Sequence, residues 1–242
     1  MFRLIATAFL AVTLLLPAQS EERRVALELV LAVDTSTSVD EREFELQRRG
    51  LADAFSHPDL IAVIEGMGDF GIAVALIEWA GTGQQEIVVD WSLINSRDTS
   101  LNFANKVRSA NRPLQGMTDI GSVLQFSIDE FDRNDFNGNR RVIDVSGDGT
   151  SSVDTSEVQR DRAISRGITI NGLVIFNKEY DLGELAEIDL IQHYSNRVIG
   201  GPGAFLMTAQ NFEDFREAIL NKLLREILGT TTAKASNGNQ IQ

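Results

Sequence analysis

The chain has 242 residues, 43% of them hydrophobic, with 22 Lys+Arg against 35 Asp+Glu for a formal net charge of −13, and no cysteine. A surface of that sign repels nucleic acid and anionic membranes, and without disulfides the fold has to rest on a packed core. One domain of this length can remove roughly 70% of its unfolded surface from water, so no second domain is needed. In chain order, Arg3, the apolar run from Leu4 to Leu16 and the small residues around Gln19 read as a secretory signal peptide over residues 1–20. The expectation is an exported protein, periplasmic or secreted, beginning near Glu21. Losing Arg3 from the 22 basic residues leaves 21 against 35 acids. An uncleaved anchor is the alternative, and no later segment has the roughly 18 uninterrupted apolar residues that a membrane span needs.

From Val25 onward, short runs rich in Val, Ile and Leu alternate with longer stretches of helical spacing, the pattern of helices wound around a buried parallel sheet. The spacing predicts strands over 26–33, 71–79, 86–91, 141–145, 168–175 and 204–208. "ALELVLAV" and "GIAVALIEW" are apolar at consecutive positions, as strands covered on both faces are. The short loop between Trp79 and Glu86 predicts an antiparallel hairpin at one edge. Helical faces are formed by Phe44, Gln47, Leu51 and Phe55; by Leu101, Ala104, Val107 and Arg108; by Ile120, Val123, Leu124, Ile128 and Phe131; and by Phe215, Ile219, Leu223 and Ile227. "DRNDFNGNRR" puts Gly138 one position too late for a calcium-binding EF-hand loop and reads as a solvated Asn-Gly turn. The polar tail, 229–242, is expected to be disordered.

In an open α/β sheet, ligands bind beyond the carboxyl ends of the strands. "LAVDTSTSVDE", residues 31–41, lies at such an end, and Asp34, Ser36 and Ser38 share a side if the chain stays extended. One carboxylate and two hydroxyls are hard oxygen donors, suited to Mg²⁺, Mn²⁺ or Ca²⁺. The same residues fit a capping box with Ser38 as cap and Glu41 reaching back, and taken alone the string admits both readings. Two further loops can deliver oxygens to the same rim: Thr118 in "QGMTDIGSVL" and Asp148 in "VIDVSGDGTSS".

Asp34-x-Ser36-x-Ser38, then Thr118 in a Gly-x-Thr loop, then Asp148 before Gly149, resembles the metal-ion-dependent adhesion site (MIDAS) of von Willebrand factor A (vWA) domains, over residues 25–228. The leader, "GMTDIG" and "VSGDG" are similar to an exported bacterial branch of that superfamily. The resemblance implies a single vWA/Rossmann-like, doubly wound α/β domain, with a mostly parallel six-stranded sheet, one antiparallel edge strand and helices on both faces. It also implies that Ser36, Ser38 and Thr118 coordinate an ion, with Asp34 and Asp148 acting directly or through water. The ion would be Mg²⁺, with Mn²⁺ or Ca²⁺ as alternatives, and the partner a protein whose Asp or Glu replaces a bound water. Two carboxylates balance one divalent charge, which leaves the ion able to take another anionic oxygen.

The chain departs from the family pattern at Gly147, where a Thr or Ser is usual, so Ser146 or Thr150 is expected to supply the missing hydroxyl. Asp144 interrupts its strand and shares a face with Asp148 by period two; it either orients ion ligands or is a buried acid satisfied by backbone donors. Glu78 is either a similar support or a solvated strand end. The two histidines, His57 and His193, lie far apart and argue against a histidine-rich zinc site. No G-x-S-x-G elbow or phosphate-binding G-x-x-x-x-G-K-[ST] loop occurs. Binding rather than catalysis is the expectation. A metal-dependent phosphoester or ester hydrolase is one alternative, and a metal-free structural module is the other.

Overall fold

The fold is given by a computed structural model that describes residues 22–112, 114–151, 155–176 and 184–236, without the side chains of 184–186 and 230–236. In chain order it forms β1 (Arg23–Val25), β2 (Leu27–Asp34), α1 (Glu41–Ser56), α2 (Pro58–Glu65), β3 (Ile72–Trp79), β4 (Gln85–Ile94), α3 (Arg97–Ser109), α4 (Ile120–Glu130), β5 (Phe136–Gly138), β6 (Arg141–Gly147), α5 (Ser156–Ser165), β7 (Ile168–Ile175), α6 (Glu184–His193), β8 (Leu206–Ala209) and α7 (Phe215–Ser236). The expected leader, residues 1–20, lies outside the described residues.

Six strands form one sheet in the order β4-β3-β2-β6-β7-β8. All neighbours are parallel except β3 and β4, the hairpin expected from its short loop. Every residue of β2, β3 and β7 is buried, because helices cover both faces. On one face Leu27, Leu29 and Leu31 pack with Phe55, Phe103, Phe215 and Leu223 from α1, α3 and α7. On the other, Val30, Ala32, Ile143 and Val145 pack with Ile120, Leu124 and Ala163 from α4 and α5, and with Tyr194.

Several local expectations are corrected. The cap of α1 is Asp40, whose carboxylate accepts from Glu43 N at 2.7 Å while Glu43 accepts from Asp40 N at 2.8 Å, so Ser38 is not the cap. The buried face of α3 is Ser100, Phe103, Ala104 and Val107, which leaves Leu101 and Arg108 off it. The Asn-Gly segment forms β5, paired with β1 in a separate two-stranded sheet. Helix α7 runs to Ser236, although Gly229 and the threonines after it are poor helix formers. The remainder of the expected tail, 237–242, lies outside the described residues.

Candidate metal-ion site

Asp34 ends β2 in register with Trp79 of β3. The chain then turns, with Val39 N donating to Ser36 O at 3.0 Å and Ser36 N to Asp34 Oδ1 at 2.7 Å. An aspartate accepting from the amide two residues on is a self-closing turn. This bend, not the extended chain expected from the alternation, brings Ser36 Oγ and Ser38 Oγ to 3.1 Å.

Each of the other two loops is tied to the first. Thr37 donates to Gly116 O from its amide at 2.8 Å and from its hydroxyl at 2.9 Å. That places Thr118 Oγ1 3.3 Å from Ser36 Oγ, just ahead of Asp119, which caps α4 by accepting from Ser122 N at 3.0 Å. The third loop follows β6, and Asp148 Oδ1 accepts from Ser38 Oγ at 2.7 Å. Ser151 Oγ accepts from Ile120 N at 2.9 Å, and a Cβ on Gly121 would fall 2.0 Å from Thr155 Oγ1, so only glycine lets this loop pack on α4. The result is one chain of hydroxyls, Thr118 to Ser36 to Ser38, each donating to the next and the last to Asp148.

Asp34 is fully buried; the Ser36 and Asp148 backbones favour its ionised form, but its Oδ2 has no hydrogen-bond partner of good geometry. Burial, and then the charge of Asp148, push its carboxyl up to about 7. A buried carboxylate oxygen without a donor is costly, and a cation beside it would relieve both that cost and the repulsion between the two aspartates. The donors on the rim are two carboxylates and three hydroxyls. Among the described residues no group of three or more His, Cys, Asp or Glu forms a metal cluster, so a soft-metal or carboxylate-rich cage is not what these residues build. The oxygen set fits a hard divalent ion. It opens to solvent through a depression of about 310 Å³ that includes Ser38, Thr118, Thr150 and Ser151, with the exposed Met117 at its edge.

The supporting residues are placed less as expected. Asp144 pairs with Lys222 of α7, which also donates to Glu226 Oε1 at 2.8 Å, and all three residues are buried. Its carboxyl, raised to about 7 by burial and by Glu226, pairs with α7 and not with backbone donors. Ser146 is buried inside β6, and Thr150 is exposed on the rim. Glu78 is no solvated strand end; it is buried in β3 opposite Glu86 of β4, and burial pushes it up to about 8 against the pull of Arg112 and Arg48.

Two residues had no signal in the sequence. Arg112 follows α3, and its Nη2 donates to the carbonyls of Val39 at 2.6 Å, Thr35 at 3.1 Å and Ser36 at 3.4 Å, gripping the first loop from beneath. Tyr194 begins a π-helical turn, 194–198, and extends its hydroxyl to Gly147. A lone arginine in a loop and a lone tyrosine after a helix carry no periodicity, so only the tertiary arrangement reveals them.

Sheet order, hairpin edge and rim together define a vWA-like α/β domain. The model of the family described as "Protein of unknown function (DUF1194)" matches residues 24–231, and the chain belongs to that family. No curated protein sequence matches. Among solved structures, the pilus adhesin SpaC of Lactobacillus rhamnosus GG is 14% identical with a TM-score of 0.58, over 84% of this chain and 30% of that one. Proximal thread matrix protein 1 of the mussel byssus, with a zinc-occupied MIDAS motif, is 15% identical with a TM-score of 0.56, over 87% and 47%. The vWF domain of Mfa5, a type V pili tip protein of Porphyromonas gingivalis, is 12% identical with a TM-score of 0.55, over 85% and 96%. At these identities the likeness is one of fold, and the chain spans less than half of the first two proteins.

Proposed function

We propose that this chain is an exported protein-interaction module, with a leader over residues 1–20 and a binding domain over 25–228, whose rim holds a divalent cation. Asp34, Ser36, Ser38, Thr118 and Asp148 would hold the ion, Mg²⁺ before Mn²⁺ or Ca²⁺. When bound, the ion supplies a positive charge with room for an Asp or Glu carboxylate of a partner protein. The observation that carries the reading is the unbroken run of hydroxyls from Thr118 to Asp148, with the orphaned Asp34 Oδ2 at its foot. The adhesin, byssus and pilus-tip proteins of like fold give it context. The chain's own residues do the rest: the Arg112 grip and the Thr37–Gly116 bonds hold the oxygens in place before any ion arrives, so little ordering is left to oppose binding.

The test is thermal unfolding of chelator-stripped protein with Mg²⁺, Mn²⁺ or Ca²⁺ restored. A one-site ligand at a hundred times its Kd adds about 2.7 kcal/mol, or a rise on the order of 5–10 °C for a domain of this size. Asp148→Asn should abolish the rise. Immobilised protein should retain its partner from an exported fraction with Mg²⁺ and release it with chelator. An unchanged melting temperature with all three ions would sink the reading.

A further inference from the structure

Gly147 ends β6 immediately before Asp148. A Cβ built on it would meet the Tyr194 hydroxyl at 2.8 Å and Asp34 Oδ2 at 2.9 Å. Two oxygens from distant parts of the chain thus approach the same small volume, and only a residue without a side chain leaves it open to them. Both atoms are buried and neither has a hydrogen-bond partner of good geometry, each other included. One is a phenolic donor and the other a carboxylate acceptor, so each is the group that the other lacks. Ser146, an expected source of the hydroxyl missing at position 147, sits within the strand alternating with Gly147, so the two residues address opposite faces of the sheet. Tyr194 comes from the face on which Gly147 opens, in the same core cluster as Val145, Val174 and Val198. A phenol is protonated at neutral pH and so able to donate.

We infer that Tyr194 is a positioning residue of the ion site: its hydroxyl borders the volume a side chain at 147 would fill, across from Asp34 Oδ2, and donates to that oxygen when the ion is bound, fixing the carboxylate. The inference rests on the proposed ion site. It extends that site to a hydroxyl delivered from beneath the sheet's rim, from the turn after α6, instead of from the loop itself. Glycine at 147 and tyrosine at 194 are then one device, and neither is interchangeable without the other.

The experiment titrates Mg²⁺ into chelator-stripped full chain by calorimetry, for the wild type, Tyr194→Phe, Gly147→Ala, the double variant and Asp34→Ala. Tyr194→Phe removes a hydroxyl that is unpartnered without the ion, so ion-free stability should be at or above that of the wild type, while Mg²⁺ affinity falls about 10–100-fold. Gly147→Ala should weaken binding by displacing both the hydroxyl and Asp34 Oδ2, so the losses in the double variant should be less than the sum of the two single ones. Mg²⁺ should also produce a near-ultraviolet tyrosine difference band in the wild type. The chain has only two tyrosines, so loss of the band in Tyr194→Phe assigns it, a result that a merely structural role would not give. If Asp34→Ala loses binding but Tyr194→Phe binds as the wild type does, or keeps the band, this inference is overturned and the ion site survives. If the wild type binds no ion, both are overturned. Should Tyr194→Phe not fold, wild-type affinity in Gly147→Ala is enough to overturn the inference.

Discussion

Replacing Asp34 by Asn keeps the shape of the side chain and removes its charge, which separates what this residue costs the fold from what it does for an ion. Asp34 is fully buried, and its carboxyl titrates at about 7 instead of 3.8. A raised acid means that between about pH 4 and pH 7 the folded chain holds a proton the unfolded chain has released. Stability therefore falls as pH rises through that window, by about 1.4 kcal/mol per unit, and levels off above it. Without metal, the ionised group costs on the order of 4 kcal/mol at pH 8 compared with its protonated form in acid. The Asn variant has no such slope, and its amide can donate to the Tyr194 oxygen while its carbonyl keeps the bond from Ser36 N. From pH 5 to pH 8 its advantage over the wild type should grow by about 2–3 kcal/mol, or roughly 5–10 °C in melting temperature. Urea unfolding with chelator at each pH unit measures this directly. Saturating Mg²⁺ at pH 8 should reverse the order, stabilising the wild type and leaving the variant unmoved. A pH-independent difference between the two proteins, or a variant less stable at pH 8, would refute the argument.

Lys222→Met should cost about 3–5 kcal/mol in urea unfolding at pH 8, because Asp144 and Glu226 are left buried without their shared cation. The loss should shrink at pH 5, where Asp144, raised to about 7, takes up a proton; a loss equal at both pH values would argue against an ionised pair. Arg112→Lys should lower Mg²⁺ affinity about tenfold with helix content unchanged in circular dichroism, since one ammonium cannot span the three carbonyls that the guanidinium holds. Unaltered affinity would remove Arg112 from the support of the first loop.

The sheet was legible because strands buried on both faces write themselves as unbroken apolar runs, and a short loop between two of them admits only a hairpin. Helices without an apolar stripe were not. Of its ten residues α5 buries Ser156 and Ala163 alone; α2 does carry a stripe, Leu60, Ile61 and Ile64, but it is two turns long and follows α1 with only His57 between them. β1 and β5 are three residues each and find one another across more than a hundred positions, which no local pattern records. At the rim, Asp34, Ser36, Ser38, Thr118 and Asp148 could be proposed together because each follows or opens an element whose end was predictable. Their supports could not. Asp144 invited a local explanation, whereas its partner Lys222 comes from the last helix. The box assigned to Ser38 lost to a better one two residues on, where Asp40 and Glu43 satisfy each other and leave the serine hydroxyl for Asp148.

The small sheet of β1 and β5 lies at the amino ends of the parallel strands, and Arg140, just before β6, holds the carbonyl of Glu226 there at 3.0 Å. Chain arriving at Arg23 and chain departing after Glu226 therefore do so at the same pole, about 26 Å from the opposite rim across the eight residues of β2. A molecule fastened to a surface or to a larger assembly by either terminus would hold its three loops outward, clear of whatever it is fastened to.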